Sequence, residues 1–133
     1  MFNKKFGFIA VIAAAILLPL SVHSADKKNN RPEDIVKTYY TAMAKCDFVT
    51  AKKCLAAKEL QQMVAFLEAT VKKNPQSKSD VKEEYAPMAA GKFSSAKITG
   101  NTAKVTFTYT VKKKQKKETH TLKKVNNSWK IEN

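Results

Sequence analysis

Ala103, Val105, Phe107, Tyr109 and Val111 alternate with Lys104, Thr106, Thr108 and Thr110. Strict period-two alternation predicts a strand with one buried and one wet face. The threonines are β-branched, so the wet face favours extended backbone as well. A shorter strand is expected over residues 93–99, joined to the first by Gly100-Asn101, which tolerates positive φ. Residues 112–117 read as a polar loop and 118–125 as a returning strand. Asn126-Asn127-Ser128 supplies a second turn, and Trp129 and Ile131 share a face on a short final strand. Four strands in chain order imply antiparallel neighbours joined by hairpins.

Upstream the apolar spacing changes to three and four. Ile35, Val36, Tyr39, Tyr40, Met43 and Cys46 fall on one face of a helix. Pro32 opens it, with Glu33 and Asp34 in the first turn, where a fixed φ and the helix dipole favour these residues. Asp47 is placed to cap a second segment carrying Phe48, Ala51 and Leu55. A third aligns Leu60, Met63, Val64, Leu67 and Val71 and stops at Asn74-Pro75, since proline disfavours helix in the residue before it. Residues 76–80 read as a polar linker, and 81–90 as no more than a helical turn or two, ended by Pro87 or Gly91. The expected class is α+β, with helices laid against an antiparallel sheet of about four strands.

The first residues follow a different pattern. Lys4 and Lys5 precede an apolar run over 6–20, followed by Ser21-Val22-His23-Ser24-Ala25. A basic start, a short apolar stretch and small residues at a cleavage site describe a secretory signal peptide over residues 1–24. Cleavage after Ser24 places Ser24 and Val22 at the two positions that should be small. The alternative is an uncleaved anchor, but the run is short against the roughly 20 residues that span a bilayer, and Pro19 interrupts it. No cysteine follows the run, which argues against a lipid anchor. The chain is therefore expected in the periplasm or outside the cell, with a frayed segment over 25–31 and one domain over 32–133.

Charge then narrows the partners. Net charge is +14 over 133 residues; two of those charges are leader lysines, which leaves +12 on the 109 residues of the mature chain. That length suits one modest core. Every basic residue but Arg31 is a lysine. Base and phosphate readers favour arginine, whose planar fork binds two acceptors at once, so nucleic acid is not an expected partner. Lys112, Lys113, Lys114, Lys116 and Lys117 form the densest run. It is either a solvated loop that discourages edge pairing or a contact for anionic lipid or another envelope polyanion, worth about 1 kcal/mol per lysine near a charged surface.

Cys46 and Cys54 are the two cysteines, and export would place them in an oxidising compartment. On one unbroken helix they would stand about 12 Å apart, beyond the roughly 7 Å a disulfide allows. A bridge therefore requires a turn between them, which the cap at Asp47 also predicts. The expectation is a Cys46–Cys54 disulfide, with two buried thiols on separate faces as the alternative. Their spacing fits neither a zinc site nor a redox pair.

Several stretches together carry a resemblance. They are Pro-Glu-Asp-Ile-Val-Lys-Thr-Tyr-Tyr-Thr-Ala-Met at 32–43, Asp47 followed by Ala51-Lys52-Lys53-Cys54-Leu55, Ala103-Lys104-Val105, Leu122-Lys123-Lys124-Val125 and the closing Trp129-Lys130-Ile131. Over essentially the whole mature chain this resembles the small bacterial secreted and lipoprotein domains of unknown function in the nuclear-transport-factor-2-like superfamily. The resemblance implies a cone-shaped α+β domain, its curved sheet wrapping the long first helix, with a pocket at the open end. That superfamily includes dehydratases, isomerases, ligand binders and dimerising modules, so the fold selects none of them.

Chemistry on such a fold would need an acid or base inside the cone. His120 shares a strand face with Leu122, and Glu118 shares that face nearer the loop, yet no carboxylate is an evident partner for the ring. A lone histidine on a half-buried strand is more often structural than catalytic. Neither a cofactor nor a metal is expected. Tyr39, Tyr40, Tyr109 and His120 are the candidate ligand-lining residues, offering apolar bodies and polar tips; alternatively the tyrosines are core aromatics whose hydroxyls reach the surface. Thr106, Thr108 and Thr110 form a polar strip suited to pairing of two copies, so monomer and homodimer both stay open. The functional expectation is an exported, non-catalytic binding or interaction module, taking a small apolar or amphipathic ligand or an envelope component.

Overall fold

The alternating stretch becomes β3 (Thr102–Val111), the central strand of the computed structural model, which describes residues 31–133. The expected leader at 1–24, its cleavage site and most of the segment 25–31 lie outside the described residues. Among the described residues, no helix is long and apolar enough to cross a membrane.

β3 pairs antiparallel with β4 (Lys114–Val125), from Thr102 opposite Lys123 to Val111 opposite Lys114. On its other edge lie β1 (Lys92–Phe93) and β2 (Lys97–Thr99), end to end. β5 (Ser128–Ile131) closes the far edge against β4. The single strand expected over 93–99 is thus two short ones. The break has a cause: the Ala96 N–H donates to Glu33 Oε2 at 2.8 Å, so this donor serves a helix and not the ladder.

The loop expected over 112–117 is only a two-residue turn. Lys112 and Lys113 both sit at positive φ, 49° and 67°, the backbone that matches the right-handed twist of the flanking strands. Lys114 to Lys117 extend β4 instead, because pairing satisfies the backbone donors and acceptors of β3 to its end. Asn126 and Asn127 repeat the same geometry at the next turn, φ 50° and 65°.

Register fixes the two faces of the sheet. Ala103, Val105, Phe107 and Tyr109 are buried toward the helices, together with Leu122, Trp129 and Ile131. Phe107 is fully buried, stacked on Phe93 with ring centroids 4.9 Å apart and 5.1 Å from Tyr40. Its burial contributes about 1.5–3 kcal/mol.

Four helices cover that face. α1 (Pro32–Ala44) starts at the proline as predicted and buries Val36, Tyr39, Tyr40 and Met43. The chain reverses at Cys46, φ 59°, and Asp47 caps α2 (Phe48–Lys53) by accepting from Thr50 N–H at 3.2 Å. α3 (Lys58–Lys73) buries Val64, with Leu60, Leu67 and Val71 half-buried, but leaves Met63 42% exposed. The weakly patterned stretch after Asn74 is a full helix, α4 (Ser77–Ala89), with Pro87 in its last turn. A proline there sacrifices a single intrahelical bond at an end that is terminating anyway. Gly91 follows, where a Cβ would stand 2.7 Å from the Thr108 carbonyl oxygen. Only glycine lets α4 end so close to β3.

The α2–α3 connection is sewn to the sheet edge: Ile131 N–H donates to Cys54 O and Ala56 N–H to Ile131 O, each at 2.7 Å. The result is four helices packed with a strongly curled antiparallel sheet, a half-barrel of the cone-like α+β kind.

The expected disulfide is not formed; Cys46 and Cys54 are both free. The chain does turn between them, but the thiols leave in different directions. Cys46 Sγ faces the Lys78 carbonyl oxygen at 3.8 Å, while Cys54 Sγ donates within its own helix to Thr50 O at 3.5 Å. Burial pushes the Cys54 thiol up to about 11, and Lys130 offsets this in part.

Candidate functional site

The curl of the sheet and the crossing of α1, α3 and α4 leave a cavity of about 220 Å³. α1 contributes Tyr39 and Tyr40, placed there by the same helical face that fills the core. α3 contributes Leu60 and Met63, and α4 contributes Glu84, Tyr85 and Met88. The sheet side supplies Glu118 and His120 from β4 and Ile131 from β5, with Asn133 beyond it and Leu55 below.

His120 is held at both ring nitrogens. Nδ1 lies 2.6 Å from the Asn133 main-chain oxygen and Nε2 lies 2.6 Å from the Tyr40 hydroxyl. The main-chain oxygen can only accept, so Nδ1 carries the proton and donates to it. In the neutral ring Nε2 is then an acceptor, and Tyr40 O–H donates to it. Burial above all, and then the charge of Glu118, raises the Tyr40 phenol well above its ordinary range, which keeps that hydroxyl a donor. His120 also lies nearly parallel to Phe107, centroids 5.7 Å apart. With both nitrogens engaged, the ring offers the cavity an edge and a face, not a lone pair.

The aromatic walls are fixed in the same way. Tyr39 meets Tyr40 edge to face at 5.0 Å, and Tyr85 approaches Tyr40 at 6.3 Å. Burial raises the phenols of Tyr39 and Tyr85 too, with Tyr85 next among the causes for Tyr39 and Glu84 for Tyr85.

Three of the four predicted ligand residues, Tyr39, Tyr40 and His120, therefore line one cavity. Tyr109 does not. It borders a separate hollow beside Gly91, and its hydroxyl donates to Glu118 Oε1 at 2.8 Å. Tyr109 thus positions a cavity carboxylate rather than forming the wall. The five lysines of the 112–117 run are likewise not gathered on one surface. Lys112 and Lys113 make the turn, Lys114 and Lys116 stand opposite Val111 and Tyr109, and Lys117 stands opposite Thr108.

Two carboxylates, Glu84 and Glu118, line the cavity, and no lysine or arginine does. In a chain of net charge +14 this is a local reversal of sign. Sequence reasoning missed Glu84, Tyr85 and Met88 because α4 has almost no amphipathic period. Glu118 was visible as sharing His120's strand face, but its assignment to the edge of a loop hid its role. Among the described residues no three His, Cys, Asp or Glu side chains are grouped so as to hold a metal ion.

Compared with known protein families, with characterised proteins and with solved structures, the chain has no match.

Proposed function

We propose that this protein binds a small amphipathic molecule non-covalently in the cavity between α1, α3, α4 and β4, the ligand's cationic or hydrogen-bond-donating end meeting Glu84 and Glu118. One observation carries this reading: an aromatic and methionine-walled cavity bears two carboxylates and no lysine or arginine within a strongly basic protein. At about 220 Å³ it is smaller than the roughly 300–1,000 Å³ of drug-sized sites, which favours a compact ligand. Tyr39, Tyr40 and Tyr85 line the cavity, and a cation over an aromatic face gains on the order of 0.5–2 kcal/mol. His120, held by Tyr40 and Asn133, serves as a rigid part of the wall. We also read the chain as an exported member of the nuclear-transport-factor-2-like superfamily, on the first-helix and strand motifs and the curled-sheet fold.

Native mass spectrometry of the protein recovered from its own compartment tests the reading. The expected spectrum shows a chain beginning at Ala25 with a small organic adduct. The adduct is lost in the cavity-filling variant Met63→Trp. An adduct that persists unchanged in that variant refutes the cavity as its site.

A further inference from the structure

The face of the sheet turned away from the helices carries a second, chemically opposite surface. Alternation and register place Lys92, Lys97, Lys104, Lys117, Lys123 and Lys130 on it, against one nearby carboxylate, Glu132, which approaches Lys123 at 3.8 Å. Lys97 stands directly opposite Lys104, and Lys123 directly opposite Lys130. Like charges facing each other across strands repel. Among the described residues neither Lys97 nor Lys104 has an ion-pair partner to offset this. Around Lys97, Lys104 and Lys117 the face forms a depression of about 650 Å³, lined otherwise by Ser and Thr hydroxyls and the Gln115 amide. Thr106 and Thr119 bond to each other across its floor at 2.9 Å.

We propose that this depression binds a linear anionic polysaccharide. Ammonium groups and hydroxyls together suit a chain that carries both acidic groups and sugar hydroxyls. The lining holds no aromatic side chain on which a nucleobase would stack, as single-stranded nucleic acid requires. It also holds no apolar side chain to enter a bilayer. The charges have a polymer's spacing too. Thr102, Lys104 and Thr108 of β3 mark three cross-strand rows, each holding at least one lysine. At about 3.4 Å per residue these rows stand about 7 and about 14 Å apart along the strand, so one extended chain lying along β3 meets them in succession. This site is separate from the acid-lined cavity and uses none of its residues.

The test measures binding of polygalacturonate at physiological salt to the wild-type protein and two triple variants of equal charge. One removes the face charges (Lys97→Gln, Lys104→Gln, Lys117→Gln). The other removes charges at the hairpin end but off this face (Lys112→Gln, Lys113→Gln, Lys116→Gln). All six lysines are exposed, and circular dichroism confirms that each variant folds. The expected result is roughly a tenfold loss of affinity for the face variant, a loss under about threefold for the hairpin variant, and weakening by added salt. Equal losses in both variants would show only diffuse attraction and overturn the proposal. So would absence of polygalacturonate binding, equal binding of neutral dextran, or tighter face-dependent binding of phosphatidylglycerol vesicles or oligo-dT.

Discussion

His120 is fixed by two acceptor–donor choices that follow from chemistry alone. The Asn133 main-chain oxygen can only accept, so Nδ1 donates to it, and in the neutral ring Nε2 accepts a hydrogen bond from the Tyr40 hydroxyl. Nitrogen-15 shifts of the neutral ring should therefore report the Nδ1–H tautomer, and Tyr40→Phe should lower stability by about 1 kcal/mol through the lost partner. An Nε2–H ring in the wild-type protein would contradict this account. The cysteines give a second prediction at this scale. Cys54 is buried and its thiol is held up to about 11, whereas Cys46 is part-exposed. Iodoacetamide at pH 8 should label Cys46 and spare Cys54 until the protein is denatured. A peptide map showing the two joined would restore the disulfide.

The elements divide by how locally they are determined. The α1 face from Ile35 to Met43, its Pro32 start, the Asp47 cap and the β3 alternation were legible, because each is written in residues adjacent in sequence or one turn apart. Cys46, expected on that face, lies past the helix end, where its positive φ reverses the chain. The broken strand over 93–99 was not, since its cause is the Glu33 side chain sixty-three residues earlier. Nor was α4, whose Pro87 and polar surface concealed a helix that owes its place to packing on α1 and β3. One wall of the cavity came with it, in Glu84, Tyr85 and Met88. The lysine run misled for a different reason. Charge pointed to a loop, yet the long ladder with β3 held four of its residues extended and compressed the turn to Lys112-Lys113. Two non-glycine residues at positive φ are costly there. Replacing them by Asn-Gly (Lys112→Asn, Lys113→Gly) should stabilise the protein by about 1 kcal/mol, read as a higher urea midpoint at unchanged slope. A lower midpoint would mean that these lysines make contacts the turn geometry does not reveal.

At the scale of the whole molecule, two surfaces differ in sign, a lysine-bearing outer sheet face and a cavity lined by Glu84 and Glu118, while phenols and a thiol are buried within. That interior has a consequence at alkaline pH. Tyr39, Tyr40, Tyr85 and Cys54 all have folded values raised by burial above their ordinary 10.0 and 9.0. The folded state thus holds protons that the unfolded chain releases. The stability this supplies is complete below about pH 9 and is lost as pH climbs toward and beyond 11. Urea unfolding should show a fall over that window that is shallower in Tyr39→Phe, and equal slopes in the two proteins would contradict the assignment. Calorimetric titration with hexyltrimethylammonium and with hexyl sulfate, equal in tail and opposite in head, probes the sign and shape of the cavity together. The expected result is that the ammonium binds and the sulfate does not, and that Glu118→Gln weakens the ammonium by roughly tenfold. Equal binding of both amphiphiles, or tighter binding of the sulfate, would contradict it.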